Sequence, residues 1–138
     1  MPTSPVTPAP TFQLLPHYLV ASVNILVEQC HGANANWWKD LNTGLSTKEA
    51  NNVPEKLMLV VSELGEAMEG HRKNLQDTHV PDFLNVEVEL ADAIIRICDL
   101  AGAKGYRLAE ALAAKMQYNA IRADHKLEHR AGKNGKKY

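Results

Sequence analysis

Residues 86–99 read Val-Glu-Val-Glu-Leu-Ala-Asp-Ala-Ile-Ile-Arg-Ile-Cys-Asp, a segment that is apolar nearly all round when wound as a helix. The exception is one stripe. Glu89, Asp92, Arg96 and Asp99 recur at i, i+3, i+7 and i+10, which places them on a single helical face. A helix with this much apolar surface needs neighbours on most of its sides, so part of the charged stripe is expected close to a core. Burying carboxylates is costly unless a cation or a set of donors compensates them. The segment therefore constrains both the fold and the chemistry.

The rest of the chain offers the neighbours. From His17 to about His31, Leu19, Val20, Val23, Leu26 and Val27 recur at helical spacing, with Gly32 as a stop signal. Pro54 fits the first turn of a second helix, whose Leu57, Met58, Val60, Val61, Leu64, Ala67 and Met68 form a wide apolar face, with fraying expected by Asn74. After Pro81, with Asp82 as a candidate N-cap, the third helix runs to about Lys104 and is stopped by Gly105. A fourth, from about Arg107 to Lys126, carries Leu108, Leu112, Met116 and Ile121 on one side. Strand-like alternation nowhere lasts more than a few residues. The expected fold class is all-α, a compact oligomeric bundle of four main helices.

A chain of 138 residues suits one domain. Residues 1–16 hold five of the seven prolines and read as a flexible or extended tail, residues 17–126 as the helical domain, and residues 127–138 as a basic C-terminal tail. Fifteen Lys plus Arg against sixteen Asp plus Glu leave no electrostatic excess that would attract nucleic acid or an anionic membrane. Cys30 and Cys98 lie in apolar helical patterns, so neither a zinc site nor a disulfide framework is indicated. No apolar run of membrane-spanning length and no signal-peptide pattern is present, and a cytoplasmic location is expected.

The second helix carries a pair that matches the acidic stripe, Glu63 and Glu66 at i and i+3, with Glu69 one step further. Two helices that each present carboxylates at this spacing can converge on one point. Four hard oxygen donors facing one another repel as bare anions, and Mg²⁺ or Mn²⁺ relieves the repulsion. No histidine stands at the spacing of a Glu-x-x-His di-iron site. A solvated acidic face is the alternative for these same residues.

The chain reads Ser62-Glu63-Leu64-Gly65-Glu66-Ala67, then His71-Arg72-Lys73, then Glu89-Leu90-Ala91-Asp92, then Lys115-Met116-Gln117-Tyr118-Asn119-Ala120-Ile121-Arg122, and closes on Gly135-Lys136-Lys137-Tyr138. This ordered set resembles the MazG-like branch of the all-α nucleoside triphosphate pyrophosphohydrolases, related to dimeric dUTPases and dCTP pyrophosphatases. Their pattern is Glu-Glu-x-x-Glu followed, some twenty or more residues on, by Glu-x-x-Asp. Ser62 stands where that family has its first Glu. The likeness covers about residues 17–138 and leaves out the proline-rich start.

The resemblance implies a homodimer or homotetramer that hydrolyses a nucleoside triphosphate between the α and β phosphates, giving the monophosphate and pyrophosphate, with Mg²⁺ required. It implies Glu63, Glu66, Glu89 and Asp92 as metal ligands, with Glu63 also activating water, and a role in cleaning the nucleotide pool. Lys115, Asn119 and Arg122, on one face of the fourth helix, offer an ammonium, an amide and a guanidinium for phosphate and sugar, or else a salt-bridging surface. Either tryptophan of the Asn-rich segment 33–53 can stack on a base, with Trp38 preferred over Trp37. Asn24 is a further pocket candidate by family position. A non-catalytic helical oligomerisation module is the competing reading.

Overall fold

The computed structural model describes residues 16–50, 53–122 and 126–135, so the expectations for residues 1–15 and for the last three residues lie outside it. Its elements are α1 (Pro16–Ala33), a 3₁₀ turn (Ala35–Trp38), α2 (Val53–Arg72), α3 (Asn85–Lys104), α4 (Leu108–Ile121) and a short α5 (Leu127–Ala131). Two isolated bridges, Lys39 with Ser46 and Gln76 with Leu84, are the β pairings among the described residues. The all-α class and the four main helices stand. The stretch expected as a basic tail holds the short helix α5.

The apolar segment identified from sequence is the central helix. α3 packs against α2 on one side and α1 on the other, and α4 packs on α1. Small residues make the crossings close: Cys30, Ala67, Ala93, Cys98 and Ala101 are all buried. At Gly102 an added Cβ would stand 2.6 Å from the Cβ of His31, so α1 and α3 meet there with no room for a side chain. At Gly70 an added Cβ would stand 1.8 Å from Oδ1 of Asn85, which brings the end of α2 onto the start of α3.

Helix ends differ from the expected ones for local reasons. α3 begins at Asn85, not just after Asp82, because the loop before it is held in its own hydrogen bonds. Asp77 accepts the amides of His79 and Val80, and Leu75 accepts the amide of Asn85. Leu84 is the N-cap, and its amide donates at 2.8 Å to the carboxylate of Glu87 three residues on, the reach-back half of a capping box. α1 continues past Gly32 to Ala33, where the Asn34 side chain donates to the carbonyl of Cys30. α4 stops at Ile121, short of Lys126, with Arg122 extended. Gly105 ends α3 as expected, in the left-handed conformation at φ 66°.

Candidate metal centre and adjoining cavity

The strongest contact in the bundle, α2 on α3, brings the two acidic pairs face to face. Glu63 of α2 and Glu89 and Asp92 of α3 each offer a carboxylate oxygen, and the three oxygens lie within 4.8 Å of one another. Glu63 is 6% exposed and Glu89 8%, while Asp92 is half-buried. Glu66 stands at the open edge of the same groove, which has a volume of about 530 Å³.

Two groups on α3 compensate this charge. Asn85, one turn before Glu89, donates to its Oε1 at 2.9 Å, and Nε of Arg96, one turn after Asp92, donates to Oε1 of Glu63. One amide and one guanidinium do not balance three carboxylates. Burial accordingly pushes the Glu89 carboxyl above its ordinary value; Asn85 opposes the shift, and the charges of Glu66 and Glu63 add to it. Three hard carboxylate oxygens with surplus negative charge fit Mg²⁺ or Mn²⁺; His79 also lines the groove but is not among the three clustered donors.

A second cavity of about 440 Å³ shares Glu63, Asp92 and Arg96 with the groove and extends past Leu59, Ile95 and Leu100 to the two tryptophans. Trp38, the preferred stacking surface, lines this cavity but is enclosed. Trp38 is 1% exposed, its Nε1 donates to both oxygens of Asp99 at 2.9 and 3.0 Å, and Nζ of Lys56 lies 4.6 Å over its ring. His31 completes the clamp, donating from Nδ1 to Asp99 at 2.8 Å. With its edge and a face engaged, Trp38 is a structural anchor. Trp37, 74% exposed on the same cavity, is the ring with an open face.

The other expected substrate residues are not brought to these cavities within one chain. Lys115, on α4 packed against α1, and Arg122, which lies beyond the helix end and so not on its face as expected, stand 4.8 and 5.9 Å from the ring of Tyr118, and neither they nor Asn119 line the groove or the tryptophan cavity. Oδ1 of Asn119 is buried and has no hydrogen-bond partner. Asn24 is exposed on α1 and lines neither cavity.

Asn85, Lys56 and the clamp on Asp99 escaped the reading of the sequence. Asn85 had a signal, its position four residues before Glu89 on the same face. Lys56 and His31 had none, because their partners are distant in sequence.

No family model matches the chain, and neither a curated protein nor a solved structure matches it.

Proposed function

We propose that the protein is a Mg²⁺-dependent nucleoside triphosphate pyrophosphohydrolase. The observation that carries this reading is the buried acidic triad Glu63, Glu89 and Asp92, which opens onto a cavity walled by an exposed tryptophan. Glu63, Glu66, Glu89 and Asp92 hold the metal. When bound, it neutralises the triphosphate and makes the α-phosphorus more electrophilic. The base lies on Trp37 between the apolar side chains of Leu59, Ile95 and Leu100. Glu63 orients the attacking water and accepts its proton, aided by a position at the junction of groove and cavity.

We further propose that the chain works as a homodimer or homotetramer, from which Lys115, Asn119 and Arg122 reach the phosphates of a neighbouring site and Asn24 its pocket. Exposed apolar stripes support this: Leu57, Val61, Leu64 and Met68 on α2, and Leu90, Ile94 and Ile97 on α3. No helix among the described residues is long and apolar enough to cross a membrane. The proposed role is nucleotide-pool cleaning in the cytoplasm, with free nucleotides and not nucleic acid as ligands.

The same stripes favour a second reading, a non-catalytic helical oligomerisation module. Pyrophosphate release from the eight common ribo- and deoxyribonucleoside triphosphates separates the two. Monophosphate plus pyrophosphate, lost on adding EDTA, is the expected result, and no release from any of them would return the acids to a charged helix face. Asp92→Asn is expected to abolish turnover while leaving the helical circular dichroism unchanged; retained activity would remove Asp92 from the site.

A further inference from the structure

Arg96 sits where the proposed chemistry has to happen. Its guanidinium is paired with Glu63, one of the three clustered carboxylates, and Arg96 lines both the acidic groove and the tryptophan cavity. The two partners are unequal: the Glu63 side chain is 8% exposed, whereas that of Arg96 is 42% exposed, with solvent on the side away from the pair. Among the described residues this is the ion pair made to the triad.

A divalent cation at Glu63 would compete with the guanidinium for the same carboxylate, since the two cations repel at ligand distance. We infer that Arg96 is a resident cation that competes with the metal for Glu63 and, once displaced, becomes the arm that binds the triphosphate at the border of the two cavities. A guanidinium suits this exchange, because its planar fork pairs with carboxylate or phosphate oxygens alike. Arg96 is tethered to α3 one turn beyond Asp92, so release from Glu63 leaves it beside the groove mouth. Metal and triphosphate then bind better together than apart, because each favours the released state of the same side chain. This assignment rests on the metal-dependent reading above.

The test measures binding rather than turnover. Mn²⁺ affinity is measured by electron paramagnetic resonance on the full chain, and affinity for Mg²⁺–tripolyphosphate, a probe without a base, by calorimetry. Arg96→Met retains much of the aliphatic stem and removes the charge. It is expected to bind Mn²⁺ alone about three- to tenfold more tightly and Mg²⁺–tripolyphosphate at least about tenfold more weakly. Arg96→Lys keeps the charge without the fork, so near-wild-type Mn²⁺ affinity with weakened tripolyphosphate binding is expected, and it serves as the test if the methionine variant fails to fold. Mn²⁺ binding that is unchanged or weaker in Arg96→Met, or unchanged tripolyphosphate binding in both variants, overturns the assignment while leaving the metal site standing. Absence of Mn²⁺ binding by the wild-type chain overturns both.

Discussion

Adjacent tryptophans in this chain have opposite surroundings, and the difference is set by what each ring touches. Trp38 is enclosed by Asp99, His31 and Lys56, whereas Trp37 is left open beside the cavity. Trp38→Ala is expected to cost about 3–5 kcal/mol in denaturant unfolding, through lost burial and an Asp99 left short of a donor. Trp37→Ala should change stability by less than about 0.5 kcal/mol and instead abolish fluorescence quenching by nucleotide. Equal destabilisation by both would contradict the division. Gly70 is a second position where one atom decides. A methyl group there collides with the Asn85 amide that holds Glu89, so Gly70→Ala is expected to lower stability by about 1–3 kcal/mol. Loss of Mn²⁺ affinity should accompany it, and an unfolding midpoint equal to wild type would show that the helix ends separate freely.

At the scale of elements, the α2–α3 crossing gathers carboxylates whose mutual repulsion a bound cation would relieve. Burial holds the Glu89 carboxyl above its ordinary value, so the folded chain keeps this proton to a higher pH than the unfolded chain does. Stability from this group is fully present below the unfolded value near 4.5 and is lost as pH rises through the folded one. Without metal, Glu89→Gln is therefore expected to melt about 2–5 °C higher than wild type at pH 7.5, with the gap closing toward pH 4. Mg²⁺ should raise the melting temperature of wild type at pH 7.5 and not that of Glu89→Gln. A variant that melts below wild type at pH 7.5 would mean that the charged carboxylate is already well compensated. Asp77 shows the opposite sign. Amides of Val80 and His79 hold its carboxyl below the ordinary value, so its contribution is lost only as pH falls below about 3.8, in acid.

For the whole molecule, the buried core among the described residues is built largely from alanine and cysteine, while many of the larger side chains of α2 and α3, among them Leu57, Val61, Met68, Leu90 and Ile94, remain exposed. A bundle that leaves such stripes uncovered gains by pairing them. Val61→Glu combined with Leu64→Glu is expected to shift the mass measured by light scattering to that of a single chain. If the proposed sharing of α4 residues between subunits holds, pyrophosphate release falls with it. A wild-type chain that is already monomeric at micromolar concentration would refute the oligomer.

What the sequence determined by itself was whatever depends on local periodicity. The four main helices and the placing of Glu89, Asp92, Arg96 and Asp99 on one face follow from spacing along a single helix, and the stop at Gly105 from glycine's ease at positive φ. Convergence of the two acidic pairs was legible as a possibility, because each pair had the right spacing on an apolar helix. Only the tertiary structure decided which of the four acids cluster, that Glu63 is taken by Arg96, and that Trp38 is anchored while Trp37 is open. It also separated Lys115, Asn119 and Arg122 from the acids within one chain. The reason is the same in each case. Spacing fixes which side chains share a face, but burial and charge pairing depend on which faces meet across the bundle, and that is set by how closely small residues such as Gly70 and Gly102 let the helices approach.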